Sequence, residues 1–161
     1  MKSFLTFIAT LLSAQSSLAL SCEFPGIIDE YQSAKSSEFN YFVVSGKVTY
    51  PQSDIWLDED EHGFPPPLTQ IAAQIDGVSL GANRNETVFQ YPLTVELECI
   101  ATWCGHIPWS GAMEGLFFIR EEGEEFFLSI GPCGGGPFSN SEENRKTLQR
   151  CLNGGKCRSE D

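Results

Sequence analysis

The period of the apolar positions changes several times along this chain, and each change marks an element. Ile27, Ile28, Tyr31 and Ala34 recur at helical spacing and predict a short helix from Ile27 to Lys35. From Tyr41 to Tyr50 the period falls to two. Phe42, Val44, Gly46 and Val48 share one face, and Ser45, Lys47 and Thr49 share the other, as in a half-buried strand. A glycine on the inner face has no side chain to pack, so Gly46 predicts a sharp bend, as at a barrel corner. Pro51 to Pro67, rich in proline and acid, reads as a loop. Ile71, Ala73 and Ile75 alternate next. Gly77 then interrupts, and Val78 and Leu80 continue out of phase, which predicts a bulge at Gly77.

Gly81 to Glu86 reads as a turn, and a third strand follows with the clearest alternation in the chain. Leu93, Val95, Leu97 and Cys99 face in, while Thr94, Glu96 and Glu98 face out. Leu116 to Arg120 and Glu125 to Ile130 predict a hairpin around Glu122-Gly123, and Pro132 to Pro137 a glycine-rich loop. Ser141 to Leu152 predicts a closing helix, opened by a polar cap and acids, carrying Arg145, Lys146 and Arg150, and stopped by Gly154-Gly155. Five strands, one of them curved at a glycine, suit a small closed Greek-key barrel of the OB type, with a short N-terminal helix and a C-terminal helix. An immunoglobulin-like sandwich needs about seven strands.

The first residues carry a different pattern. Lys2 precedes an apolar run from Phe4 to Leu12, and small and polar residues follow. This is the order of a secretory signal peptide, and the run is too short to span a bilayer. Small residues at −3 and −1 fit cleavage after Ala19 or after Ser21, and the second leaves Cys22 as the first mature residue. Leu20 stands at −2 from Cys22 rather than −3, a poor lipoprotein signal. The expected organisation is therefore a signal peptide over residues 1–21 and a single exported domain over residues 22–161.

All six cysteines (Cys22, Cys99, Cys104, Cys133, Cys151 and Cys157) lie beyond the signal region. An even count in a small exported domain reads as a disulfide framework, and the spacings lack the paired short intervals of a zinc site. The formal charge of −12 argues against nucleic acid or an anionic membrane surface as partner.

Placed on these elements, the cysteines and their neighbours resemble the netrin-type module. Cys22 stands at or near the mature start, and the first strand contains Gly46-Lys47-Val48. Cys104-Gly105 follows the third strand, Gly115-Leu116-Phe117-Phe118 opens the fourth, and Cys133 follows the fifth. A terminal helix leads to Cys151 and Cys157. The superfamily includes the N-terminal domain of the tissue inhibitors of metalloproteinases. The stretches Trp103-Cys104-Gly105 and Gly131-Pro132-Cys133-Gly134-Gly135 look most like its exported bacterial members.

The resemblance implies a pairing. In an OB fold the third and fifth strands are parallel neighbours, which brings Cys99 near Cys133, and a bridge needs Cα atoms within about 7 Å. Cys151 and Cys157 would close a local ring, leaving Cys22 for Cys104, as in the inhibitors. It also implies an activity. The inhibitors chelate a target enzyme's zinc through the amine and carbonyl of an N-terminal cysteine, the role that would fall to Cys22. The chain departs from the family's Cys-x-Cys start at Phe24. Glu23 would carry a charge into an apolar specificity pocket, which is costly.

Other chemistry is sparse. Asp58, Asp60 and Gly63 are spaced as in a calcium loop, but His62 is a poor ligand there and no glutamate closes the loop. The only histidines are His62 and His106, and no nucleophile elbow, zinc helix or phosphate loop is present. No enzyme, cofactor or resident metal is expected. Trp103, His106, Pro108, Trp109 and Met113 gather in one loop beside Cys104. They form either an exposed recognition patch or, through the two tryptophans, a plug for the barrel mouth. Asn85-Glu86-Thr87 is an N-glycosylation sequon on the predicted turn. The expected role is non-catalytic binding, with another protein as partner.

Overall fold

The first two strands lie so close at one point that neither has room there for a side chain. A β-carbon on Gly46 would stand 2.8 Å from the Cα of Gly77, directly across the ladder. This contact marks a tight corner of a closed sheet. The computed structural model describes residues 22, 24–52 and 63–158. In chain order the elements are α1 (Ile27–Ser36), β1 (Asn40–Thr49), β2 (Leu68–Leu80), β3 (Glu86–Ile100), β4 (Trp103–Cys104), β5 (Ala112–Glu122), β6 (Glu125–Ile130) and α2 (Glu142–Leu152). Residues 1–21 (expected to form a signal peptide), Glu23 and the acidic stretch with Asp58, Asp60 and His62 lie outside the described residues.

Antiparallel pairing joins β1 to β2 and β5, β2 to β3, and β5 to β6. Parallel pairing of β3 with β6, from Thr94↔Phe127 to Leu97↔Ile130, closes the ring. The result is the expected five-stranded OB-type barrel with two helices and three disulfides. The two-residue β4 folds back on the end of β3.

The inward positions of β1, β2 and β3 are the apolar ones. Val44, Val48, Ile71, Ile75, Val95, Phe117 and Leu128 are at most 2% exposed. Burying each of the larger chains stabilises the fold by roughly 1.5–3 kcal/mol. Phe42, Phe89, Tyr91 and Phe126 form a packed aromatic group, with ring centroids 4.7 to 6.0 Å apart.

A second core lies outside the barrel. Val43, Leu116 and Phe118 are buried from the outer face of β1 and β5, with Ile27 from α1 and Leu148 from α2. It explains a misread pattern. The register of β2 runs unbroken through Gly77 against both β1 and β3, so no bulge is present. The apolar face changes because the covering changes. Ile71, Ala73 and Ile75 pack inside the barrel, whereas Val78 and Leu80 pack outside under the helices. The same covering buries Ser45, whose hydroxyl accepts from Asn140 at 2.8 Å and Arg145 at 3.1 Å.

The second helix begins and ends for local reasons. The Ser141 hydroxyl accepts the Asn144 N–H at 3.2 Å and caps α2. Gly154 takes a φ of 75° and donates to the Cys151 carbonyl, which ends it. The Tyr31 hydroxyl donates to the Cys151 carbonyl at 3.2 Å and ties α1 to α2.

Glu96 points away from the barrel core as the alternation predicts, yet it is 7% exposed. Arg120 donates to it at 3.0 Å and the Ser129 hydroxyl at 2.9 Å. The Arg120 guanidinium lies over the rings of Phe39 and Phe127. Burial alone would lower its pKa, but the charge of Glu96 and its hydrogen bond, with Glu122, more than reverse this and raise it.

Candidate binding ridge

Three segments meet at the end of the barrel where β3 and β6 finish. The first is the chain before α1. Cys22 is bonded to Cys133, with Cα atoms 5.1 Å apart, and Pro25 packs against Gly134. The second is the hairpin of β3 and β4. Cys99 and Cys104 stand directly opposite each other and are bonded, with Cα atoms 4.0 Å apart. The third is the loop after β6, in which Gly131 and Gly134 exchange backbone hydrogen bonds and fold Cys133 back.

Two of the three bridges therefore differ from the expected set. Cys99 pairs with Cys104 rather than Cys133, and Cys22 with Cys133 rather than Cys104. The parallel neighbours β3 and β6 are present, but the Gly131–Gly134 turn carries Cys133 off the line of β6. The tight reversal of β4 meanwhile brings Cys104 opposite Cys99. That reversal uses Ala101 in the left-handed region, at φ 55°. The third bridge, Cys151–Cys157, is as expected.

Gly105 locks the second segment to the barrel. Its N–H donates to the Glu98 carbonyl at 2.9 Å, and a β-carbon there would strike the Ile130 carbonyl oxygen. Between the segments lies an open cleft of about 310 Å³, walled by Phe24, Pro25, Cys104, His106, Ile130 and the loop from Gly131 to Phe138. Phe24, at the rim, is 73% exposed.

The loop that drew attention in the sequence divides on the structure. Trp103 and Trp109 are 57% and 54% exposed, so neither plugs the barrel. Ile107, between them in sequence, is 2% exposed and packs into the barrel core with Met113 and Tyr50. Met113, expected on the surface, is thus a core residue. It faces Val48 across the β1–β5 ladder, on the inward side of β5. The Tyr50 hydroxyl donates to the Pro108 carbonyl at 2.7 Å and holds this stretch down, and burial raises its pKa. His106 is exposed and lines the cleft, whereas the tryptophans do not. The Ser110 hydroxyl donates to the Ala112 carbonyl at 3.0 Å.

The sequence did not single out Phe24 as a cleft residue, nor the Gly131–Pro137 loop as its wall. A glycine-rich loop after a strand was visible, but only the Cys22–Cys133 bridge shows that the N-terminal segment lies against it. Among the described residues no group of His, Cys, Asp and Glu side chains is placed to hold a metal ion, and no helix is long and apolar enough to cross a membrane. Comparison with protein-family models, curated proteins and solved structures finds no match to this chain.

Proposed function

We propose that this chain is an exported, non-catalytic binding domain of the netrin type that recognises another protein through the ridge around Cys104. One observation carries the reading. Exposed apolar and aromatic side chains, Phe24, Trp103 and Ile100, stand on or beside segments that two disulfides and a backbone-tight glycine hold rigid. Aromatic groups fixed before contact lose little entropy on binding, which is the economy of a protein-recognition site. The three disulfides support an oxidising compartment.

The test compares capture by the disulfide-intact domain with capture by F24A/W103A from the extracellular medium of its own cells, read by quantitative mass spectrometry. A partner retained by the parent and depleted with the variant supports the reading. Equal retention of every bound protein overturns it.

A second reading, inhibition of zinc proteases by the Cys22 amine, is favoured by the Cys22–Cys133 bridge, which pins that residue beside the same cleft. Mass spectrometry of the exported protein decides whether it stands. A chain beginning at Leu20 has the Cys22 amine tied up in a peptide bond and cannot chelate. A chain beginning at Cys22 should inhibit at least one member of a zinc-protease panel.

A further inference from the structure

The ten basic residues of this strongly acidic chain are unevenly placed. Arg84, Arg145, Lys146 and Arg150 all line one cleft of about 370 Å³ between α2 and the turn that precedes β3. Two carboxylates share the cleft, and each already has a partner. Glu86 pairs with Arg145 at 2.5 Å, and Glu142 with Lys146 at 2.8 Å. Arg84 and Arg150 are exposed and, among the described residues, neither side chain forms an ion pair or hydrogen bond. Two guanidinium groups therefore face one cleft without counter-charge, in a molecule whose net charge is −12.

The position of Arg84 is enforced. It and Asn83 take left-handed backbone conformations, φ 59° and 56°, which a residue with a long side chain adopts at a cost. The turn is held in that shape from α2. The Asn83 N–H donates to the Asn153 Oδ1 at 2.6 Å, and the Gln149 Nε2 donates to the Gly81 carbonyl at 3.0 Å. The same helix thus carries Arg150 and fixes the turn that presents Arg84. Strain of this kind at a non-glycine residue often accompanies a ligand site.

We infer that this cleft binds a tetrahedral oxyanion, a phosphate or sulfate group carried on a small body. Guanidinium groups offer planar pairs of N–H donors that match the oxygens of such an anion, and two of them can grip it from separate sides. Leu80 supplies apolar surface in the cleft for the attached body. The site does not depend on the ridge or on the ridge's partner.

The experiment is a titration of the disulfide-intact chain at low ionic strength, followed by amide and arginine side-chain resonances. The probes are inorganic phosphate, inorganic sulfate and a hexose phosphate, with chloride as control. The expected result is saturable shifts confined to residues 81–86 and 145–153, weakened about tenfold or more in R84Q/R150Q. Phosphate alone, sulfate alone or both producing that pattern supports the site and identifies the anion. Tighter binding of the hexose phosphate than of inorganic phosphate shows that the body is bound as well. Shifts spread over the surface without saturation, or unchanged in R84Q/R150Q, or absent for every probe, overturn it. Both arginines are exposed, so their replacement leaves the fold in place for the comparison.

Discussion

Gly46 and Gly77 face each other across the β1–β2 ladder, and a methyl group on Gly46 would meet the Asp76 carbonyl oxygen at 2.5 Å as well as its partner's Cα. The obstacle is backbone on both sides, so it cannot rotate away. G46A and G77A should each destabilise the domain by about 2–3 kcal/mol, the upper part of the range for overpacking. Chemical denaturation of the oxidised protein checks this, and a loss below half of that value in both variants would mean that the corner relaxes.

Ile107 and Trp103 separate stability from the proposed recognition. Ile107 is buried in the barrel core, and I107A should cost about 2–4 kcal/mol through the cavity it leaves. Trp103 is more than half exposed, and W103A should change stability by no more than about 0.5 kcal/mol. Denaturant midpoints for the two variants, read beside partner capture, show whether Trp103 acts on binding alone.

Arg120 is the counter-charge of a glutamate that has little access to water. R120A strands Glu96, and the loss should reach about 3–5 kcal/mol. The double variant R120M/E96L removes both charges and should recover much of that loss, because well-packed apolar groups replace the pair at little net cost. Thermal melts of the single and double variants test the pair.

Burial holds the carboxyl of Glu30 above its ordinary pKa near 4.5. The folded state therefore binds this proton more tightly than the unfolded state. Its contribution is fully favourable below the unfolded pKa and is lost as pH rises through the folded value. E30Q should raise the melting temperature at neutral pH, and the gain should shrink as pH falls through the raised folded value and be gone below about 4.5, the ordinary glutamate value. A gain independent of pH would mean that the carboxyl charge is not its cause.

Much of this fold is legible in its alternating positions. β1 and β3 declare their inner faces through Val44, Val48, Val95 and Leu97, and the parallel closure of β3 on β6 is what the OB-type topology implies. Two kinds of information are not local. The out-of-phase Val78 and Leu80 look like a bulge until the helices that cover the outer face are in place. Whether an apolar residue points in or out of an irregular loop also depends on contacts far along the chain. Met113 and Ile107 go in and Trp103 stays out because Tyr50 and the end of β1 fix where the barrel mouth lies. The bridges show the same limit. The parallel strands make Cys99 and Cys133 neighbours in principle, but the short returns at Ala101 and at Gly131–Gly134 decide which sulfurs meet.

The disulfide set also orders the expected energetics. Cys22–Cys133 spans 111 residues and should stabilise by about 4–5 kcal/mol in the chain-entropy description, against about 2 kcal/mol for each short ring. C22S/C133S should therefore cost more than C99S/C104S or C151S/C157S.

The ridge exists only if its two bridges are paired as described, so peptide mapping of the non-reduced protein is the most direct measurement. Cross-linked peptides joining Cys22 to Cys133 and Cys99 to Cys104 are expected. Peptides joining Cys22 to Cys104 and Cys99 to Cys133, or free thiols at these four positions, would contradict that pairing.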